Sequence, residues 1–265
     1  MILDEPLQTL FEDPALPRHE LPPSLAEAYG GLLGFAKPRV YANFVTSVDG
    51  VVALAEPTES GHLISKSSRA DRFVMGLLRA FADTIVIGAG TYRKVKGAVF
   101  TAEAIYPDGA AAFGELRARL GLAPRPRFVL VTRGGNIDTA GPALDGALIV
   151  TSRIGEAALR GRVSANTEVV ALGADTLLLA DVMALLRKRG AQSILSEGGP
   201  SLFAEAVRAK LVDELFVTTS PLLFGRYGND RRKSLTDGLD LGGTPMELLS
   251  AKRHGSYLFL RYAFV

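Results

Sequence analysis

Apolar residues follow two kinds of pattern along the chain: short continuous runs and longer segments with an apolar residue every three or four positions. The short runs cover residues 40–45, 84–87, 128–131, 148–151, 169–172, 214–220 and 257–264. Such runs, bounded by glycine and polar residues, are typical of buried strands. Helical periodicity is clearest over residues 70–81, after Ser67 or Ser68 as the cap. The order of elements predicts an α/β fold with a mixed, mostly parallel sheet of about eight strands flanked by helices.

The stretch Gln192–Phe203 leads from a predicted strand into a predicted helix through Glu197-Gly198-Gly199-Pro200. A helix N-terminus carries free N–H groups and a partial positive charge, and glycine lets a ligand approach the backbone, so this corner suits a phosphate. We expect Ser201 to cap the helix and Glu197 to point into a crevice at the carboxyl edge of the sheet. An ordinary strand-turn-helix corner explains the motif equally well.

Three predicted strands end in glycine turns, at residues 88–91, 132–135 and 197–200. If the strands are parallel, these turns open on one edge of the sheet and line one crevice, as a dinucleotide requires. None of them is a complete G-x-G-x-x-G, so the pattern does not predict a conventional Rossmann site. Arg133 beside its Gly-Gly turn is a candidate ligand for a 2′-phosphate, which favours NADP; a surface arginine is the alternative.

Several charged residues allow two interpretations. Asp49 in Ser47-Val48-Asp49-Gly50 is either a turn residue or a carboxylate that bonds a heterocyclic substrate. Arg79 either complements the helix dipole or binds a substrate phosphate. A basic cluster is expected to be a solvated turn, with a local anion site as the alternative; it consists of Arg226, Arg231, Arg232 and Lys233.

Composition excludes several classes of function. The 265 residues carry a net charge of only +2, which gives no electrostatic case for nucleic-acid binding. The chain has no cysteine and three histidines, so we expect no metal site. No apolar run is long enough for a membrane span, and the acidic N-terminus does not resemble a signal peptide, so we expect a cytoplasmic protein. Residues 1–38 form a proline-rich arm that is expected to pack against another surface, with a second subunit as one candidate, and residues 39–265 are expected to form one domain.

Four motifs together resemble the reductase domain of the riboflavin-biosynthesis deaminase-reductase, which has a dihydrofolate-reductase-like fold. They are Ser47-Val48-Asp49-Gly50, Leu78-Arg79-Ala80 with Ile85–Thr91, Glu197–Leu202, and Leu211–Leu215 with Ser220–Gly225. The similarity runs from about Arg39 to the C-terminus and is greatest to single-domain pyrimidine reductases. We expect these 265 residues not to include the zinc-dependent deaminase half, because a sequence without cysteine cannot supply its metal site.

The resemblance implies NADPH-dependent reduction of a phosphorylated ribosylaminopyrimidine, of the 5-amino-6-(5-phosphoribosylamino)uracil type, in riboflavin biosynthesis. It implies contacts to the cofactor from the glycine turns and their neighbours, namely Gly88, Gly90, Thr91, Thr132, Arg133, Gly198, Gly199, Pro200, Ser201 and Leu202. It implies substrate contacts from Ser60, Arg79 and Glu197, with Asp49 and Glu197 as the catalytic carboxylates. Homodimers are usual in this family, which makes a homodimer the expected assembly.

One segment, Tyr92–Gly97, departs from the family pattern. Val95 stands where the family has an Asp that contacts NADP, and no phosphate-binding Arg follows. Arg93, Lys94 or Lys96 are the available replacements for that phosphate contact. Because of this departure two alternatives stay open: a reductase of dihydrofolate or another pterin-like ring, and an NADP-binding protein without catalysis.

Overall fold

A computed structural model describes residues 2–55, 60–95, 97–225 and 231–265 of the chain. Its strands are β1 Gln8–Glu12, β2 Arg39–Ser47, β3 Val51–Ala53, β4 Thr84–Gly88, β5 Arg127–Val131, β6 Leu148–Thr151, β7 Glu168–Ala171, β8 Ser193–Ser196, β9 Glu214–Ser220, β10 Lys233–Ser234, β11 Met246–His254 and β12 Tyr257–Phe264. Its α-helices are α1 Pro23–Tyr29, α2 Ser60–Ser65, α3 Arg69–Phe81, α4 Ala89–Lys94, α5 Ala102–Ile105, α6 Ala110–Arg119, α7 Arg153–Leu159, α8 Leu179–Lys188 and α9 Pro200–Arg208. None of the helices in these described ranges is both long and apolar enough to cross a membrane.

Ten of the described strands form one sheet in the order β1-β11-β12-β9-β2-β8-β4-β5-β6-β7. Neighbours from β9 to β7 are parallel, whereas β1, β11, β12 and β9 pair antiparallel. The predicted mixed, mostly parallel α/β sheet is therefore confirmed.

The predicted number of about eight strands is wrong, because the described sheet has ten. One of the strands that the pattern did not reveal is β11, Met246–His254. The first half of β11 is exposed and its second half is basic, so it offers no buried apolar run. The other is β1, which lies in the proline-rich arm.

The N-terminal arm packs on this chain's own sheet. β1 pairs with β11, and the Nζ of Lys252, a side chain with 1% exposure, donates to Thr9 Oγ1 at 2.7 Å. The same ammonium lies 3.3 Å from Glu12 and 4.5 Å from the centre of the Tyr29 ring. A buried cation held by a carboxylate, a hydroxyl and an aromatic face fixes the arm to the sheet. The domain boundary at residue 38 stays a prediction.

Helices cover both faces of the sheet and bury two apolar cores. One core contains Phe73 and Leu77 of α3 with Phe113 of α6, and the other contains Val182 of α8 with Phe203 of α9. The apolar stripe predicted over residues 70–81 is α3, and Ser68 caps it by accepting the N–H of Asp71. This packing places the start of α3 and the start of α9 at the same edge of the sheet.

Candidate functional site

A cleft of about 650 Å³ opens at the carboxyl edge of the sheet, where β2, β4 and β8 end. β8 lies between β2 and β4, so the turn that follows it, Glu197–Pro200, lies between the ends of the other two strands. Open α/β sheets bind their ligands at this position. Helices α3, α4 and α9 supply the walls.

Arg79 and Glu197 form a buried, bidentate ion pair on the cleft wall. Arg79 Nε donates to Glu197 Oε1 at 2.9 Å and Nη2 donates to Oε2 at 2.7 Å, and each side chain is 7% exposed. Arg79 Nη1 also donates to the carbonyl oxygen of Thr101 at 3.1 Å, and the guanidinium lies 5.2 Å from the centre of the Phe100 ring. Arg79 and Glu197, two of the three predicted substrate contacts, therefore lie in one cleft, in an orientation fixed before any ligand binds.

Asp71, in the first turn of α3, is a cleft residue that the sequence analysis missed. Its side chain lines the cleft although the residue is only 6% exposed. Burial raises the pKa of Asp71 to about 6, while a hydrogen bond with the Thr218 side chain and the charge of Arg72 act in the opposite direction. One signal was available: Asp71 lies on the apolar stripe, three residues before Val74 and seven before Leu78.

Asp71→Asn is expected to stabilise the protein above pH 6. A carboxyl whose folded pKa exceeds its unfolded value of 3.8 binds more protons when folded, so stability falls as the pH rises through the window from about 4 to about 6. The asparagine removes that loss and raises the free energy of unfolding at pH 8 by up to about 3 kcal/mol. Thermal unfolding of the wild type and of Asp71→Asn at pH 4 and pH 8 measures this gain in stability. If the two proteins differed in stability by the same amount at both pH values, Asp71 would not be a buried carboxyl that titrates in this range.

The three glycine turns open on one edge of the sheet, and two of them line the cleft. Those two contribute Gly88, Gly90 and Thr91 from the start of α4, and Gly198, Gly199, Pro200, Ser201 and Leu202 from the start of α9. Thr132 and Arg133 are not among the cleft-lining residues described: Thr132 Oγ1 accepts the N–H of Gly135 at 3.2 Å, and Arg133 is exposed. They follow β5, the strand next to β4, so they lie farther along the same edge.

The start of α9 leaves little room for side chains. A Cβ on Gly198 would lie 2.5 Å from Leu202 Cδ2, and one on Gly199 would lie 3.0 Å from Thr91 Oγ1. The predicted cap at Ser201 is wrong, because the helix begins at Pro200 with Gly199 as its N-cap, and no side chain caps it. Pro200 suits the first helical position because it has no N–H to satisfy and its fixed φ starts the helix, whereas the N–H groups that follow it receive no side-chain cap. The N–H groups of this turn have no partner within the helix and lie at the cleft, which fits an anionic cofactor group.

Ser60 and Asp49, the other predicted substrate-site residues, differ in position. Ser60 lines the cleft, and its Oγ accepts the N–H of Leu54 at 2.9 Å. Asp49 is not among the described cleft residues; its carboxylate accepts Ser47 Oγ at 2.6 Å and the N–H of Gly225 at 2.7 Å. The hydrogen bond from Ser47 lowers the pKa of Asp49, which keeps it ionised in this turn. Its catalytic role stays a prediction.

Among the described residues of the departing segment, Lys94 is the cation that lines the cleft. Tyr92 and Arg93 donate to the carbonyl oxygens of Asp138 and Asn136, whereas Lys94 lines the cleft and donates to the Leu54 carbonyl at 3.1 Å. Lys96 and Arg226 lie outside the described residues. Lys233 of β10 also lines the cleft, with its Nζ 3.3 Å from Ser201 Oγ and 2.6 Å from Asp237. Burial and, second, the charge of Lys233 lower the pKa of Lys94, so an anion between the two ammonium groups would relieve their repulsion.

Comparisons with known proteins agree with this architecture. The model of the family described as the RibD C-terminal domain matches residues 38–259. A 2,5-diamino-6-ribosylamino-4(3H)-pyrimidinone 5′-phosphate reductase from Archaeoglobus fulgidus is 26% identical over 192 residues, 71% of this chain and 83% of the relative.

Two solved structures have the same fold. A pyrimidine reductase-like protein from Corynebacterium diphtheriae superposes with a TM-score of 0.70 at 22% identity, covering 92% of this chain and 95% of the other. The diaminohydroxyphosphoribosylaminopyrimidine deaminase/5-amino-6-(5-phosphoribosylamino)uracil reductase from Thermotoga maritima has a TM-score of 0.58 at 18% identity, with 86% and 57% covered.

Proposed function

Because the chain belongs to the RibD C-terminal domain family, we propose that it reduces a phosphorylated ribosylaminopyrimidine of riboflavin biosynthesis with a nicotinamide cofactor. The observation that carries the proposal is the buried Arg79–Glu197 pair beside the glycine-lined start of α9, in a single cleft. In this cleft the ion pair offers polar groups in a fixed orientation to a sugar or a ring, and the start of α9 offers a backbone surface to a dinucleotide. The relative from Archaeoglobus fulgidus bears the name of such a reductase.

We propose NADPH as the cofactor. Gly198, Gly199 and the N–H groups at the start of α9 would hold its pyrophosphate, because only glycine leaves space there and the helix dipole favours an anion. Arg133, exposed farther along the same edge, would pair with the 2′-phosphate. Reduced nicotinamide would supply the hydride for C1′ of the opened sugar, drawn as a Schiff base, and ordered water in the cleft would supply the proton that the nitrogen of its C=N bond takes up.

The residues of this chain act by holding the substrate in place. Each Glu197 oxygen accepts one Arg79 N–H and keeps lone pairs for substrate hydroxyl groups, while Arg79 prevents the carboxylate from rotating. The apolar side chains of the cleft, such as Phe100 and Leu202, exclude water from the reacting carbon. Positioning of this kind is the main contribution that hydride transfer to a bound sugar requires.

Lys94 and Lys233 would bind the substrate phosphate in place of the missing arginine. Lys94→Gln is expected to raise KM for the phosphorylated substrate about tenfold, because one charge-assisted hydrogen bond is lost. Steady-state kinetics with each substrate varied in turn measures the effect. Arg93→Gln is the matched control, because its guanidinium bonds the Asn136 carbonyl outside the cleft. A rise in KM for NADPH alone would assign Lys94 to the cofactor instead.

The proposed activity is tested by following NADPH absorbance with ribosylaminopyrimidine phosphates and, in parallel, with dihydrofolate. If NADPH is oxidised with a ribosylaminopyrimidine phosphate but not with dihydrofolate, the proposal is supported, and mass spectrometry should identify the ribityl product. Oxidation with dihydrofolate alone would replace it with the pterin reductase alternative. NADPH binding without turnover of either compound would favour the non-catalytic alternative.

The expected homodimer and the cytoplasmic location stay predictions. Sedimentation of the purified chain at several concentrations would give the oligomeric state. A monomer at all concentrations that retained full turnover would contradict the dimer.

A further inference from the structure

We propose that Asp71 selects the substrate ring, so that this chain takes a 2-amino-4-oxopyrimidine rather than a uracil. The inference rests on the proposed function and specifies the substrate of the same cleft. Two substrates are named among the relatives and differ at C2 of the ring: the 2,5-diaminopyrimidinone of the Archaeoglobus fulgidus reductase and the uracil of the Thermotoga maritima protein. The resemblance by itself implied the uracil type.

Asp71 occupies a position from which it can contact a bound ring. Its carboxylate lines the cleft from the first turn of α3, two helical turns before Arg79 on the same helix, and is over nine-tenths buried. It has no ion-pair partner within 4.0 Å among the described residues, in contrast to Glu197, which is neutralised by two Arg79 bonds. A buried carboxylate without a bonded cation is costly unless a ligand provides N–H donors for it.

The groups that face Asp71 from neighbouring elements leave part of its carboxylate available. On β9, Thr218 forms a side-chain hydrogen bond with it; on its own helix, Arg72 attracts it electrostatically; and at the end of β8, Glu197 repels it. Tyr257 of β12 donates its hydroxyl to the Ser65 carbonyl at 3.0 Å, so that hydroxyl is not directed at Asp71. His62 of α2 lines the same cleft. A carboxylate can accept about four hydrogen bonds, so the single bond with Thr218 leaves acceptor capacity for a ligand.

The two candidate rings present different hydrogen-bonding edges to such a carboxylate. A 2-amino-4-oxopyrimidine presents its N3–H and 2-amino N–H side by side, and these two donors match the two oxygens of a carboxylate. In uracil the amino group is replaced by a carbonyl, so N3–H is flanked by two acceptors. A carboxylate facing that edge forms one hydrogen bond and meets one repelling oxygen. A site with a buried carboxylate therefore discriminates strongly against uracil.

The test compares kcat/KM for the two phosphorylated substrates at pH 8 in the wild type and in Asp71→Asn. We expect the wild type to prefer the 2,5-diaminopyrimidinone by at least about 30-fold, because a well-placed bidentate pair gives this order of discrimination. An asparagine offers one acceptor and one donor, which suits the N3–H and carbonyl edge that both rings share. The substitution should therefore lower the preference at least tenfold, with a gain for the uracil. Glu197→Gln is the control, since it should lower both activities and leave their ratio within about threefold.

A second measurement does not depend on any variant. Because a protonated carboxyl presents one donor and one acceptor, the preference of the wild type should decrease from pH 8 to pH 5, on either side of the Asp71 pKa of about 6. Equal use of both rings by the wild type, or a ratio unaffected by both Asp71→Asn and pH, would overturn the inference and leave the reductase function standing. Failure to reduce either ring would overturn the proposed function and this inference with it.

Discussion

Glu197→Gln is expected to lower kcat at least about 100-fold and to destabilise the fold by about 3 to 5 kcal/mol. The substitution leaves the guanidinium of Arg79 buried without its counter-charge, and the loss of one partner of a buried pair has a cost of this size. Turnover falls because the carboxamide cannot accept both Arg79 N–H bonds and still orient substrate hydroxyls. Steady-state kinetics and urea unfolding measure the two effects separately.

The chain supplies a matched control in Glu168 and Arg189. Their two hydrogen bonds are 2.6 Å each, so the pair is as well formed as Glu197–Arg79, but the Glu168 side chain is 54% exposed. Glu168→Gln should change stability by less than about 1 kcal/mol and should not change kcat, because exposed ion pairs contribute little. If the two substitutions had the same effect on stability, burial of the Arg79–Glu197 pair would not explain its contribution.

The sequence predicted the elements that carry a strong periodic signal. The strands at residues 84–87, 214–220 and 257–264 and the helix over residues 70–81 all lie where the apolar pattern placed them. The glycine turns were also found at one edge of the sheet, since parallel strands have their carboxyl ends together. The spacing of apolar residues was enough to predict these elements because each of them buries one face or both.

The residues that the sequence did not assign depend on contacts between distant parts of the chain. The surroundings of Asp71 depend on the fold, because the packing of α3 on the sheet brings it beside Thr218 of β9, 147 positions later in the sequence. Lys233 was expected in a solvated turn, and it reaches the cleft only because β10 pairs with β3. Charge and residue type alone do not encode such neighbours.

For Asp49 the motif predicted a catalytic carboxylate, whereas the structure shows the hydrogen bonds of a turn. Asp-Gly after a strand is compatible with either a turn or a cleft carboxylate. In the structure the side chain accepts the N–H groups of Phe224 and Gly225 and so connects the ends of β2 and β9. The hydrogen bonds of this residue are those of a turn, and kinetics of Asp49→Asn would test the predicted catalytic role.

Gly198→Ala is expected to weaken NADPH binding at least about 30-fold while the protein remains folded. The added methyl group would lie 2.5 Å from Leu202 Cδ2, a contact that rotation of the Leu202 side chain relieves, and 3.3 Å from Leu202 Cβ, which moves only with the backbone. The first turn of α9 therefore has to shift by a few tenths of an ångström. A shift of this turn misaligns the N–H groups proposed for the pyrophosphate, and each lost charge-assisted hydrogen bond costs about 1.5 to 3 kcal/mol. Titration of NADPH fluorescence against both proteins gives the two dissociation constants.

Gly114→Ala separates this effect from the general effect of adding a methyl group to a helix. Gly114 lies in α6, and a Cβ added there would have no heavy atom within 4 Å, so alanine should stabilise the protein by about 0.5 to 1 kcal/mol and leave NADPH affinity unchanged. If Gly198→Ala bound NADPH as tightly as the Gly114→Ala control, the start of α9 would not be the pyrophosphate site. The cofactor would then have to contact another part of the sheet edge, and the turn after β5, with Thr132 and Arg133, would be the next candidate because it lies on the same edge.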